Sequence, residues 1–192
     1  MKNIYLVNYS VKGIKTLDEL ISLSFYKKTI TRNLDTQEYN VKGIYGMNGS
    51  GKSAIVTSAD ILRNLLTNPG YLNNPIVQKN LEELINKKLG ELFISVDFLV
   101  NLNKQENSIP VLMRYMVTIS QNSNGKYAIS HEKLSCKNAC RKSDFMFNVF
   151  ETQKGDVISV IDEAENPFLK RFLDKTTNLL EDNSMCVLFF DK

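Results

Sequence analysis

Residues 46–53 of this chain read Gly46-Met47-Asn48-Gly49-Ser50-Gly51-Lys52-Ser53, and this octapeptide decides the predicted fold. It follows the pattern G-x-x-x-x-G-K-[ST], whose glycines let consecutive backbone N–H groups turn inward and cradle an anion. In such a loop Lys52 reaches the β- and γ-phosphates of a nucleotide, and the Ser53 hydroxyl is a Mg²⁺ ligand. The octapeptide therefore predicts a phosphate-binding loop, or P-loop, for a nucleoside triphosphate.

The residues on either side fit the order of strand, glycine loop and helix that such a loop requires. Residues 41–45 (VKGIY) are predicted to form a short strand that enters the loop. Residues 52–67 have apolar side chains at helical spacing, which predicts a helix whose N-terminal dipole favours bound phosphate. Asn48 is expected to hydrogen-bond near the γ-phosphate. The predicted nucleotide-binding residues are Gly46, Met47, Asn48, Gly49, Ser50, Gly51, Lys52, Ser53 and Ala54.

Composition indicates a soluble globular protein that forms one domain over residues 1–192. The apolar share of 43% and the charged share of 23% are ordinary, and a net charge of +3 is too small to indicate a nucleic-acid partner. No apolar run approaches the ~18–20 residues that a membrane span needs. The N-terminus lacks the pattern of a signal peptide, and the three cysteines (Cys136, Cys140, Cys186) are expected to be free thiols. A cytoplasmic protein without a membrane partner is predicted.

Periodicity predicts a β-rich chain around two central helices, an order unlike the alternating strands and helices of a small kinase or GTPase. A second helix is predicted over 75–88, and another over 167–180. Turn residues at 122–125 and 152–156 predict two hairpins. The predicted strands are Ile4–Val7, Leu20–Tyr26, Leu92–Val100, Val111–Ser120, Tyr127–His131 (which Glu132–Lys137 would extend), Phe145–Glu151 and Val157–Ile161, and an apolar run, Met185–Phe190, ends the sequence.

The form GxNGSGKS at Gly46 to Ser53 resembles the Walker A motif of ABC-type AAA ATPases of the SMC, RecF and OLD group. Residues 115–135 and 147–160 are similar to antiparallel hairpins in the amino-terminal lobe of bacterial ATPases with roles in DNA maintenance or phage defence. The resemblance implies an α/β fold of the P-loop NTPase class, an ABC/SMC-like amino-terminal lobe with an antiparallel β-meander.

The same resemblance implies that the chain is the amino-terminal part of a larger ATPase. A carboxy-terminal lobe would supply the signature motif and the Walker B carboxylates, and a second head would close over ATP. ATP and Mg²⁺ are the implied cofactors, DNA is an implied partner, and hydrolysis is expected only with the carboxy-terminal lobe. The alternative is a nucleotide-gated protein-interaction module that does not hydrolyse ATP.

Three stretches imitate the missing motifs. Val157–Ile161 followed by Asp162-Glu163 has the form of a Walker B motif, but a hairpin turn leads into it, which favours a surface antiparallel strand. Leu134–Asn138 stands where a signature motif would, with Cys136 and Lys137 in place of its glycines. Asp191 follows four apolar residues but precedes Lys192 rather than a glutamate. Asp162, Glu163 and Asp191 are therefore alternatives for the Walker B role rather than assignments.

Two further side chains near these motifs are given ordinary structural roles. Tyr45 is predicted to be a core residue rather than an adenine-stacking one. His131, the single histidine, is predicted to be a surface residue rather than a catalytic one.

Overall fold

The computed structural model describes residues 4–26, 41–100, 111–139, 145–160 and Ser184. These residues form seven strands, two α-helices and one short 3₁₀ helix. In chain order the elements are β1 (Ile4–Lys12), β2 (Ile21–Ser24), α1 (Lys52–Thr67), the 3₁₀ helix (Tyr71–Asn73), α2 (Pro75–Leu84), β3 (Glu91–Val100), β4 (Val111–Gln121), β5 (Tyr127–Asn138), β6 (Phe147–Gln153) and β7 (Asp156–Val160).

The seven strands form one sheet in the order β2-β1-β3-β4-β5-β6-β7, and each of the six neighbouring pairs is antiparallel. The predicted α/β class of the P-loop NTPases, which is built on a parallel sheet, is therefore wrong for the described residues. Tight turns explain the difference, because hairpin connections can join only antiparallel strands. At the β6–β7 turn, Lys154 (φ 48°) and Gly155 (φ 84°) both have positive φ, as a two-residue hairpin turn requires.

The strand predicted at residues 41–45 is also absent, since the described segment 41–47 has no regular structure. Val41 and Tyr45 are almost wholly exposed and Ile44 packs only partly against the hydrophobic core, so the segment lacks the alternating buried face of a strand. Lys42 Nζ of the segment donates to the carbonyl oxygen of Ser24 in β2 (2.7 Å). Among the described residues, no sheet strand therefore leads directly into the P-loop.

Other predicted elements differ mainly at their ends. α1 spans the predicted residues 52–67, and both predicted hairpins are present. β1 continues to Lys12, because Asn8 and Ser10 pair with Ser24 and Ser22 of β2 where a turn had been predicted. α2 ends at Leu84 instead of 88, because Ile85 is extended and bridges to Ile14. The helix predicted at 167–180 and the apolar run at 185–190 lie outside the described residues.

One face of the sheet and the two helices enclose the main core. Alternate residues of the central strands point into it, as expected when a strand is buried on one face. α1 contributes a stripe at the i, i+3, i+4 spacing of a helix packed on one side. The buried members of this core include Val11, Ile94, Val96, Val117 and Ile119 from the sheet and Ile55, Ile61, Leu62 and Leu65 from α1. α1 is therefore held firmly against the sheet along its length.

The opposite face of the sheet carries an ion pair beside a second, smaller apolar cluster, in which Leu99 and Leu112 pack with Val7 and Ala139. Asp97 on β3 is buried and accepts two hydrogen bonds from Arg114 on β4, at 2.7 Å from Nε and 2.9 Å from Nη2. This contact raises the pKa of the Arg114 guanidinium, mainly through the hydrogen bond to Asp97. Neither described helix combines the length and apolarity that crossing a bilayer demands.

Candidate functional site

The P-loop lies at the N-terminal end of α1, between the irregular segment 41–47 and the first helical turn. Residues 46–50 are exposed, whereas Ala54 is completely buried beneath the first turn of the helix. The predicted site residues thus form one continuous surface loop whose far end is anchored in the core.

Two glycines of the loop have the left-handed backbone conformation that favours glycine. Gly49 has φ +84°, and Gly51, the N-cap of α1, has φ +89°. A Cβ on Gly49 would meet open space, whereas a Cβ on Gly51 would overlap the side chain of Leu17. Gly51 is therefore required for two reasons, its backbone angle and the side chain that packs against it.

Lys52 lies across the mouth of the loop. Its Nζ donates to the carbonyl oxygens of Gly46 (2.7 Å) and Met47 (2.6 Å). The ammonium group is thus held beside the loop backbone by two neutral acceptors, and a phosphate in their place would add the attraction between opposite charges. The geometry places a cation where the motif expects one.

Ser53 occupies the second residue of α1 and is exposed. The first turn of this helix contains no acidic residue, so no local carboxylate opposes an anion there. The unpaired N–H groups of a helix N-terminus carry a partial positive charge, equivalent to about half an elementary charge. Lys52 and the helix end thus favour an anion at the same place, with the Ser53 hydroxyl next to it.

A buried hydrogen bond fixes α1 to the sheet beneath the site. Tyr9 Oη of β1 lies 2.7 Å from Ser58 Oγ of α1, and Ser58 also donates to the carbonyl of Ile55 (2.7 Å). Burial raises the pKa of Tyr9 to about 12, and the Ser58 hydrogen bond offsets part of that rise. Tyr9 is thus a neutral polar anchor for the second turn of the helix that follows the loop.

The stretches that imitate other ATPase motifs have different outcomes. Leu134–Asn138 lies inside β5 and pairs with both β4 and β6, so it is a sheet strand and not a signature loop. Val157–Val160 belongs to β7, which pairs antiparallel with β6, as the preceding hairpin turn predicts. Asp162, Glu163 and Asp191 lie outside the described residues. The described residues therefore include a P-loop but no assigned Walker B carboxylate.

Two single-residue predictions also have clear outcomes. The prediction that Tyr45 is a core residue is wrong, because its side chain is 93% exposed beside the loop. His131 is half-buried, with Nε2 2.9 Å from Glu151 Oε1, so it is part of an ion-pair cluster rather than a plain surface residue. Residues 131 and 151 belong to different predicted hairpins, and the pairing of β5 with β6 brings the two side chains together.

Sequence reasoning missed the buried polar cluster around Glu132 on β5. Its Oε1 accepts hydrogen bonds from Tyr115 Oη (2.7 Å) and Ser184 Oγ (2.5 Å), and all three residues are buried. Two cavities of about 210 and 380 Å³ were likewise not predicted, and neither is lined by a residue of the P-loop. The larger lies between α2 and the β4–β5 turn.

Chemically, the loop brings together an ammonium group, a helix N-terminus, glycines that allow a close approach and a hydroxyl suited to Mg²⁺. This set suits a polyphosphate carried with a divalent cation. Lys52 would meet the phosphates, and Ser53 would hold the metal. No protein-family model matches the chain, and no curated protein matches it.

Proposed function

We propose that this chain binds ATP with Mg²⁺ through the P-loop, Gly46 to Ser53. Ala54, the last of the predicted binding residues, is left out because it is buried and its backbone N–H group donates to the carbonyl oxygen of Gly51 (3.0 Å). The observation that carries the proposal is the position of Lys52 Nζ, 2.7 Å and 2.6 Å from the carbonyls of Gly46 and Met47 at the N-terminus of α1. A lysine, a helix dipole and flexible glycines at one point form a phosphate site independently of the sheet class. The proposal therefore does not depend on a parallel sheet.

Each residue has a stated role in this proposal. Lys52 neutralises charge on the β- and γ-phosphates, and Ser53 holds Mg²⁺. Gly49 and Gly51 give the backbone its curvature, and Asn48, at the exposed turn, bonds near the γ-phosphate. The Walker A resemblance favours ATP within an ATPase of the SMC, RecF and OLD group, acting in DNA maintenance or phage defence with a second head.

The alternative function, a nucleotide-gated interaction module without hydrolysis, is favoured by a separate observation. Three large apolar side chains on and beside the loop are strongly exposed: Tyr45 (93%), Met47 (85%) and Val56 (66%). Apolar side chains grouped at a ligand site are typical of a surface that meets another protein. A partner seated there would contact loop and nucleotide together.

Calorimetric titration of the chain with Mg²⁺·ATP tests the proposal. Lys52→Ala should weaken binding roughly 10- to 100-fold, because a hydrogen bond to a charged group contributes about 1.5–3 kcal/mol. Lys79→Ala, which removes an exposed lysine from α2, is the charge-matched control and should bind as the parent chain does. Equal affinities for the three proteins would reject the P-loop as the site.

Phosphate release by the same proteins tests whether hydrolysis needs a carboxy-terminal lobe. Turnover that disappears in Lys52→Ala would favour the ATPase, contradict that need and make Asp162 and Glu163 the candidate Walker B carboxylates. Binding without turnover is the expected result both for the amino-terminal lobe of an ATPase and for the interaction module.

A further inference from the structure

The turn between β1 and β2 lies against the P-loop. Residues 13–17, which we call the supporting turn, close on themselves through Gly13 N to Leu17 O (2.8 Å) and Leu17 N to Ile14 O (2.9 Å). Leu17 is buried and occupies the space that a Cβ on Gly51 would need. Thr16 Oγ1 lies 3.4 Å from the carbonyl oxygen of Gly49. The supporting turn thus touches the two glycines of the loop that have positive φ.

The supporting turn is itself held by the residues that follow α2. Lys15 N donates to Leu84 O (2.6 Å), and Asn86 N donates to Gly13 O (3.0 Å). The Asn86 side chain adds a third bond, from Nδ2 to Lys15 O (2.7 Å), while its Oδ1 accepts from the backbone N–H groups of Lys88 and Leu89. One asparagine side chain therefore connects the end of α2 to the supporting turn.

Burial makes this connection stiff. Ile14 and Ile85, which bridge the supporting turn to the end of α2, are almost completely buried. A close-packed interior transmits displacement because it has few voids to absorb it. A shift of Asn86 or Leu17 would therefore reach Gly51, whose carbonyl accepts the amides of Ala54 (3.0 Å) and Ile55 (3.3 Å) at the start of α1.

We infer that Leu17 and Asn86 are positioning residues of the nucleotide site, although neither belongs to the P-loop motif. They hold Gly49 and Gly51 in the phosphate-binding conformation before the ligand arrives. This inference deepens the proposed ATP binding and rests on it for its functional meaning. Its structural content, a loop held in place by the supporting turn, can be measured without any nucleotide.

The test measures amide hydrogen exchange at Ala54 and Ile55 in the ligand-free chain, together with the dissociation constant for Mg²⁺·ATP. Leu17→Ala and Asn86→Ala should each speed exchange at these two amides. They should also weaken Mg²⁺·ATP about tenfold, as expected if the binding-competent loop falls to about a tenth of the population.

Two further variants separate positioning from general stability. Leu17→Met refills the space below Gly51 with a side chain of similar volume. Its amide exchange at Ala54 and Ile55 and its affinity for Mg²⁺·ATP should be close to those of the parent chain. Leu72→Ala truncates an even more deeply buried side chain, in the 3₁₀ helix that follows the C-terminal end of α1. The two ends of the 16-residue α1 are about 24 Å apart. This variant should lower the melting temperature without selectively speeding amide exchange at Ala54 and Ile55 and without weakening ATP binding.

The outcomes distinguish this inference from the proposed function. Unchanged exchange at Ala54 and Ile55 in Leu17→Ala and Asn86→Ala would overturn the inference, even in a chain that binds ATP. Equal effects from Leu72→Ala would also overturn it. If Leu17→Ala and Asn86→Ala selectively speed amide exchange at Ala54 and Ile55 but the parent chain does not bind Mg²⁺·ATP, the role of the supporting turn is upheld and ATP is rejected as the ligand.

Discussion

At the scale of single residues, the two positive-φ glycines of the P-loop differ in what surrounds them. Gly49 faces open space, and Gly51 faces Leu17. The pattern G-x-x-x-x-G-K-[ST] requires the glycine at position 51 and leaves position 49 open. The structure adds that the second glycine also accommodates a buried leucine from a different part of the chain.

This difference predicts unequal costs for alanine substitution. Gly49→Ala should lower the free energy of unfolding by about 1–2 kcal/mol, the cost of a left-handed conformation for a residue with a Cβ. Gly51→Ala should cost more, because the added methyl must also displace Leu17. Urea denaturation of the two variants and the parent chain measures both values. Equal losses would show that Leu17 does not constrain the loop.

Tyr9 is the second residue with a measurable signature. Its pKa is raised from 10.0 to about 12 by burial, so the folded state favours the neutral phenol. A group whose pKa is raised by folding stabilises the protein below its unfolded pKa and loses that contribution as the pH rises. Tyr9 therefore stabilises the fold fully below about pH 10 and progressively less between pH 10 and 12.

Tyr9→Phe isolates this contribution. The variant should be less stable at neutral pH by about 1 kcal/mol for the lost hydrogen bond to Ser58. The difference between variant and parent should shrink or reverse as the pH rises from 10 to 12. Unfolding free energies measured at several alkaline pH values check this, and a constant difference would contradict it.

At the scale of elements, the adjacent strands β5 and β6 share an ion-pair cluster centred on Glu151. Lys133 Nζ donates to Glu151 Oε2 (2.7 Å), and His131 Nε2 contacts Oε1 (2.9 Å). The hydrogen bond from Lys133, followed by that from His131, lowers the pKa of Glu151 below its ordinary value of 4.5. A carboxyl group whose pKa is lowered by folding stabilises the fold at pH values above its unfolded pKa. This stabilisation is lost as the pH falls.

Glu151→Gln should therefore weaken the dependence of the free energy of unfolding on pH in the acid range. The stability difference from the parent should be present above about pH 4.5 and should disappear as the pH falls through the lowered pKa. Glu83→Gln, at an exposed carboxylate on α2, is the matched control. If both variants follow the same acid profile, the β5–β6 cluster has no special role.

At the scale of the whole molecule, local patterns in the sequence predicted more than the global arrangement. The octapeptide and the helical spacing of 52–67 located the loop and α1, and the turn residues at 122–125 and 152–156 located the hairpins. The predicted fold class was wrong because the Walker A resemblance implied the α/β class of the P-loop NTPases, whereas the described strands form one antiparallel sheet. Strand direction depends on long-range pairing, which short motifs do not record.

The supporting turn and the Glu132 cluster were missed for the same reason. Leu17 lies 34 residues before Gly51 in the chain, and Tyr115 lies 17 before Glu132, so neither contact has a periodic signature. Buried polar groups such as Glu132 are satisfied by partners that only the assembled fold brings near. Contacts of this kind become visible only when the strands are paired.

The central claim is that a nucleotide binds at the P-loop rather than elsewhere on the fold. Backbone amide chemical shifts recorded during titration with Mg²⁺·ATP test this most directly. The account predicts the largest shifts at residues 46–54, and their loss in Lys52→Ala. Shifts confined to the cavity lined by Gln78 and Tyr127, with residues 46–54 unchanged, would contradict it.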